Sequence, residues 1–557
     1  MAKPSQEKQE RYAWYHFAII YALDIGFFVD SNGDGVGDFR GAETKLDYLV
    51  DLGVTCLWLT PICRTPDRDN GYDIEDYYSI DPQLGTFADF HRFCDAAHER
   101  DLRIMVDVVC HHTSDTHPWF QASRRDPGSI YRNYYIWSDD PVPEEEPIVW
   151  SGDEPGNVWT FDPVAHKYFR HQFYEFEPDL ATGHPDVRTE ILRILDFWLA
   201  MDADAFRIDA ASHYGDWSDG RKLIKGSPNP VLKEMRAFVD ARRPDSPAAL
   251  MGETDAAPDK LASFFGDGDE LQMLLNFLLD NYLMLALARK SADPIGKVLK
   301  LLPDKPRSGQ WANFVRNLDE LDLDQLTDAE REEVYHEFAP DPGMRIYDRG
   351  IRRRLAPMLG GDQRRIEQTY SLLLTLPGAP VLIYGDEIGM GDDLALPERK
   401  SVRTPMQWSA EKNAGFSSAP TEALPHIAID RGPYKYQQVN VAAQQADDHS
   451  LLCRIRRMIH VRQNCPEFAV GKCFVFDQPN STLLAIHSDT DDGGACIAMH
   501  NMGEDAATLT LDLPTDLTTG WREVLSDQEY PAPESDGGTY HFKIDGYGYR
   551  WFRLESS

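Results

Sequence analysis

Long apolar runs are missing from this chain. No stretch reaches the about 18 uninterrupted apolar residues that would cross a bilayer. The richest, LLNFLLDNYLMLALA (274–288), is broken by Asn276, Asp280 and Asn281 and reads as a buried helix. The opening MAKPSQEKQERYAWYHF lacks the apolar core of a secretory signal, so the expectation is a cytoplasmic protein with no membrane partner. Positive charge is scarce: 56 Lys and Arg stand against 92 Asp and Glu, a net charge of −36. Such a field repels nucleic acid and anionic lipid. It leaves a neutral ligand, or simply a solvated acidic surface. Cysteines in metal-binding pairs are absent too. The eight (Cys56, Cys63, Cys94, Cys110, Cys453, Cys465, Cys473, Cys496) show no CxxC spacing and read as reduced, mostly buried thiols. Neither internal repeats nor low-complexity tracts occur.

What is present is a globular composition. Apolar residues make up 42% of 557 residues, with 12 Trp, 24 Tyr and 26 Phe, enough for a large core and more than one domain. Short apolar runs recur through the first 390 residues: HFAIIYAL, GVTCLWLTPI, LRIMVDVVCHH, ADAFRIDAASH, AALMGETD, QWANFVRNLDE and APVLIYGDEIG. Each starts apolar and ends polar, and helical stretches separate them. Continuous apolar strands alternating with helices predict a parallel sheet covered on both faces. Polar groups collected at strand C-termini predict a (β/α)₈ barrel, whose active site is built there. LQMLLNF (271–277) is the candidate for the remaining strand.

The segment 113–180, rich in Pro, Asp, Trp and Tyr, is too long for an ordinary βα loop. It reads as a small domain inserted after the third strand. The helix SLLCRIRRMIHVRQ (450–463) should close the barrel. CFVFDQP, TLLAIHSD, ACIAMHN and ATLTLDL then predict a terminal antiparallel β-sandwich. The expected division is therefore barrel 1–112, insert 113–180, barrel 181–466 and β-domain 467–557.

Chemistry gathers at the strand ends as Asp107, Asp209, Glu253 and Asp319. A single strand-end acid is more often a cap or a solvated loop residue. Several at one end of one barrel raise one another's pKa, so one stays protonated while another is ionised. Retaining glycoside chemistry needs that division: a nucleophile, and a second carboxyl acting as acid and then base. Arg207 lies two residues before Asp209 and shares its side of the strand, which marks Asp209 as an ionised nucleophile. Glu253 is then the acid/base. Asp319 would hold sugar hydroxyls, His112 and Asp73 would complete the pocket, and Tyr72 would stack on the sugar face. Separately, DSNGDGVGD (30–38) presents oxygens from Asp30, Asn32, Asp34, the Val36 carbonyl and Asp38 at alternate positions. That donor set suits calcium, although the loop is not an EF-hand.

NGYDIEDY, DVVCHH, FRIDAASH, GET and NLDE resemble the ordered motifs of glycoside hydrolase family 13, the α-amylase family. The likeness runs through about residues 14–465. Within the family, GIRRRLAPML (350–359), YGDEIGMGD (384–392) and VRTPMQWS…NAGFS (402–417) are similar to trehalose synthases, which isomerise maltose to trehalose. The resemblance implies Asp209 as nucleophile, Glu253 as acid/base and Asp319 as transition-state stabiliser. It implies Asp73, His112, Arg207 and Arg403 around the −1 sugar, and a structural calcium in the 30–38 loop. Two positions depart from the pattern: Leu318 stands where the family has His, and His111 where it has Asn. The missing imidazole would contact O2 and O3 of the −1 sugar. Leu318 is therefore expected as an apolar wall, with weak glucoside activity or an altered sugar as its consequence, and His111 as a packed residue behind the site. The alternatives are an α-glucosidase or transglycosylase on another small α-glycoside, or a non-catalytic binding subunit, against which the intact carboxylates stand.

Overall fold

The computed structural model describes residues 12–141, 147–151, 156–244, 246–513 and 520–554. Eight short strands close into one barrel: β1 (Ile20–Leu23), β2 (Cys56–Leu59), β3 (Arg103–Val108), β4 (Ala205–Ile208), β5 (Ala249–Gly252), β6 (Met273–Leu275), β7 (Gln310–Asn313) and β8 (Ala379–Ile383). Each strand pairs in parallel with its neighbours in sequence, and β8 returns to β1 through Ile20↔Val381 and Ala22↔Ile383. The strands are buried almost throughout, because helices cover the outside while side chains fill the inside. That is why they read as unbroken apolar runs.

The apolar stretch 271–289 divides at Asn276. Residues before it form β6; Asn276 then caps the helix Phe277–Arg289 by accepting from the Leu279 N–H at 3.1 Å. Hydrophobicity continues across this boundary, so only the cap marks it.

Between β3 and the helix Pro185–Ala200 lie a helix (Pro118–Arg125) and a three-stranded sheet of Trp137–Ser138, Trp159–Asp162 and Lys167–Arg170. A second excursion, after β7, was not foreseen from the sequence. It holds the helix Asp328–Phe338 and a small sheet of Leu321–Asp322, Arg345–Ile346 and Gly350–Ile351. Its strands are two residues long, too short to show a period.

The helix Leu451–Gln463, capped by Ser450, packs on the barrel and sends Arg462 to the Gly378 carbonyl (2.6 Å). The chain ends in two antiparallel sheets, one of five strands and one of three. Leu483, Ile497, Met499 and Phe552 from the first meet Leu509, Leu511, Phe542 and Ile544 from the second in a separate small core. Trp551 ties this sandwich to the barrel by donating to Ser371 Oγ at 2.8 Å. No helix among the described residues is long and apolar enough to cross a membrane.

Candidate active site

At the C-terminal ends of the strands lies a cavity of about 520 Å³. Arg207 and Asp209 reach it from the end of β4, Glu253 from β5, Asn317 and Asp319 from β7, and His112 from β3. Arg207 is fully buried and divides its guanidinium. Nη1 donates to Asp209 Oδ1 and, at 2.9 Å, to Asp107 Oδ1, while Nη2 meets Glu253 Oε1 at 2.7 Å. One cation thus draws three strand-end carboxylates together. Glu253 is further fixed by the Ala210 N–H on Oε2 (3.0 Å). Ala210 adopts φ +46°, a left-handed conformation that costs an alanine energy and turns its N–H toward Glu253.

The carboxylates differ in environment. Burial pushes Asp209 up to about 7, against the pull of Arg207. Burial likewise raises Glu253 to about 7, again opposed by Arg207, with Asp209 adding to the rise. Burial also works to raise Asp319, but Arg403, Arg399 and Arg207 outweigh it and hold that carboxyl below its ordinary value. Asp319 therefore stays charged while Asp209 and Glu253 titrate near neutrality. Asp107 does not line the cavity. It sits behind Arg207 and accepts from Trp58 Nε1 (3.2 Å) and the Tyr72 hydroxyl (3.1 Å), which aims the Tyr72 ring into the pocket.

Three residues proposed from sequence for the sugar pocket, Asp73, Leu318 and Arg403, do not line the cavity. Asp73 is wholly buried and accepts from Thr65 Oγ1 (2.8 Å) and Arg68 Nε (3.3 Å), so it organises the 65–69 loop. The cavity instead receives Asp69, four residues earlier, which Arg399 pairs with through Nη2. Leu318 is also absent from the lining, though Asn317 and Asp319 on either side of it are present. It is 4% exposed and belongs to the main core, and its carbonyl accepts from Arg403 Nε at 2.8 Å. Beyond the strand end at Asn313 the chain is an irregular loop, and its local course turns the side chains of Asn317, Asp319 and Glu320 to the cavity and that of Leu318 to the core. Arg403 reaches the site indirectly, donating from Nη2 to Asp319 Oδ1 at 2.7 Å.

His112 lines the cavity; burial lowers it to about 3, so it is neutral. His111 turns away, 3.7 Å from Asp179, and packs edge-on against Phe173. The sequence reading missed Asp69, Arg399 and the mouth of the cavity. There Glu320 and Asp322 both bind Arg349 at 2.9 Å, beside Tyr347 of the second excursion and Trp150 of the insert. Nothing in their local sequence separates them from solvated loop residues.

The loop 30–38 satisfies itself. Asp30 accepts from the N–H groups of Asn32, Gly33 and Gly35 and from Ser417 Oγ. Those four donors occupy all its lone-pair positions. Asp38 accepts from Ser31 and Gly41. Asn32 Oδ1 accepts from the Asp34 N–H (2.8 Å), and Asp34 accepts from the Val36 N–H (2.9 Å) and Asn32 Nδ2 (2.9 Å), so only their remaining lone pairs and the Val36 carbonyl are open to a cation. Among the described residues, the acidic groups close enough to share an ion are instead Asp255, Asp322 and Asp324, with ligand atoms within 4.8 Å of one another at the cavity mouth.

A strand-end acid cluster of this kind is compatible with many barrel enzymes; similarity to known proteins decides among them. Residues 26–471 match the model of the alpha amylase catalytic domain. The chain belongs to the alpha-amylase family. A trehalose synthase of Pimelobacter sp. (strain R48) is 39% identical over 563 residues, covering 97% of this chain and 96% of its own. A trehalose synthase/amylase of Mycolicibacterium smegmatis is 40% identical over 562 residues, covering 97% and 92%. Among solved structures, the alpha-amylase from H. orenii superposes with a TM-score of 0.77 at 25% identity, over 97% of this chain and 99% of that one. The alpha-amylase fold thus accounts for the closed barrel and for the antiparallel sheets that follow it.

Proposed function

We propose that the protein is a retaining α-glucosyl-transfer enzyme that interconverts maltose and trehalose within one pocket. The observation that carries this reading is the single guanidinium of Arg207 holding Asp209 and Glu253, with the charged Asp319 in the same cavity. The names of the relatives support the choice of disaccharide. Asp209 attacks the anomeric carbon while Glu253 gives its proton to the departing glycosidic oxygen, leaving a glycosyl ester. A hydroxyl of the retained glucose then attacks the same carbon and returns its proton to Glu253. Two inversions preserve the α-configuration. Asp319, kept ionised by its arginines, stabilises the positive charge that develops on the sugar. Water in place of the second glucose would give hydrolysis. A neutral disaccharide suits a surface of net charge −36, and the eight free thiols suit the reducing cytoplasm.

Incubation with maltose followed by separation of products tests the reading. Trehalose is expected; glucose alone would show a hydrolase. Asp209→Asn should abolish turnover. Glu253→Gln should lose it on disaccharides yet keep part of it on activated aryl α-glucosides, whose leaving groups need little protonation. Full activity of either variant on maltose would refute the assignment.

Calcium in the 30–38 loop is a second proposal, supported by Asn32, Asp34, the Val36 carbonyl and the remaining lone pair of Asp38. A cation bound by the folded state alone stabilises it by mass action. Chelation should therefore lower the Tm with little effect on turnover at low temperature, and Asp34→Ala should mimic it. An unchanged Tm would leave the loop as a set of hydrogen-bonded turns.

A further inference from the structure

A second cavity, of about 320 Å³, lies on the insert, outside the catalytic pocket. That is the lower end of the range for small-molecule sites, about 300–1,000 Å³. We propose that it is a second saccharide site, which holds a short segment of an α-linked glucan by stacking and hydrogen bonds; the choice of an α-glucan rests on the function proposed above.

The walls come from local structure. Phe120 and Arg124 stand one turn apart on the helix Pro118–Arg125 and so share a face. Phe161 and Phe169 come from the paired strands Trp159–Asp162 and Lys167–Arg170. Phe120 and Phe169 are buried and meet edge-on at 5.3 Å. Phe161 lies at the rim and is 49% exposed, with its other neighbour, Tyr168, also edge-on to it. An aromatic face left open in this way takes the C–H face of a pyranose.

The charged groups of the cavity are partly committed. Arg124 Nε pairs with Asp162 Oδ2 at 2.8 Å, and Asp115 pairs with Arg68. These pairs cancel their charges, so the lining favours a neutral ligand. Two sets of atoms stay open. Among the described residues, no hydrogen bond engages the Nη groups of Arg124 or the exposed carboxylate of Glu175. A planar donor and a planar acceptor beside an aromatic face match the hydroxyls and the C–H face of a sugar.

The catalytic pocket does not use these groups. Phe173 lines that pocket, whereas Glu175 and Phe176 of the same strap line the second cavity. The strap is well supported: the Phe176 ring stacks on Tyr174 at 5.1 Å and carries the Arg68 guanidinium at 4.3 Å. A site fixed before binding avoids the cost of ordering.

The test is electrophoresis of wild type, Phe161→Ala and Glu175→Ala through gels holding soluble amylose or, as control, hydroxyethylcellulose. Amylose should retard wild type and hydroxyethylcellulose should not. Phe161→Ala should weaken the amylose interaction roughly tenfold, through lost apolar burial. Glu175→Ala changes only an exposed side chain and should weaken it too, whether or not the Phe161 variant folds. Both variants should keep the wild-type kcat/KM on maltose. No retardation of wild type, equal retardation by hydroxyethylcellulose, or unchanged retardation of a folded variant would overturn the site. Wild type that is retarded by amylose yet leaves maltose unchanged would overturn the proposed function and spare the site.

Discussion

The carboxylates on Arg207 set the pH dependence of the reaction. Asp209 must be charged to attack and Glu253 must be protonated to assist departure. Both are raised to about 7, chiefly by burial. Activity falls as pH drops below the Asp209 value, because the nucleophile gains a proton. It falls again above the Glu253 value, because the acid loses one. The kcat/KM profile should therefore be a narrow bell centred near neutrality, reporting macroscopic values of the coupled pair. Glu253→Gln, assayed on an activated aryl glucoside, should lose the alkaline limb and keep the acid one. If the alkaline limb persists in that variant, it belongs to another group.

The inserted segment depends on one buried arginine. Arg170, on the strand Lys167–Arg170, donates to Asp179 Oδ2 at 2.8 Å and Gln172 Oε1 at 3.1 Å. It also faces Asp216 of the loop after β4 at 3.7 Å. Asp179 lies beside the end of β3, where the Leu180 N–H bonds the His111 carbonyl at 2.8 Å. Burial raises Asp179 to about 6, and Arg170 holds it down against that rise. Arg170→Met removes the cation and leaves a buried charge, which costs about 3–5 kcal/mol. The loss should be largest at pH 8 and shrink at pH 5, where Asp179 takes a proton. Denaturant midpoints at the two pH values measure it. An equal loss at both would mean the arginine acts through packing alone.

The whole molecule carries the cost of its acidity. A net charge of −36 repels itself across the surface, while exposed pairs such as Arg289–Glu333 (2.7 Å) pull the other way. Exposed pairs contribute little each, so repulsion dominates. Raising NaCl to about 1 M shortens the screening length to about 3 Å. The Tm should rise, and a fall would show that the surface pairs matter more than the net field. The buried Arg207 cluster is shielded from this screening, so the shape of the pH profile should not move with salt.

The barrel was legible in the sequence because strands buried on both faces must be apolar along their length, and because strand-end acids gather only where strands end together. Asp209 and Glu253 follow such a run directly and Asp319 comes six residues after the strand end at Asn313, so their meeting in one cavity could be anticipated. Asp69 and Asp73 share one short motif, DNGYD, and nothing local distinguishes them. The turn of the loop places the first in the cavity and buries the second under Arg68. Leu318 reads as a pocket residue by position, yet the irregular loop after the strand turns its side chain into the core. Arg399 lies eighty residues from Asp319 in the chain, and only the folded loop brings the two together. Sequence carries what depends on a residue's own neighbours along the chain; the direction of a loop side chain depends on partners from distant elements, and tertiary packing alone selects it.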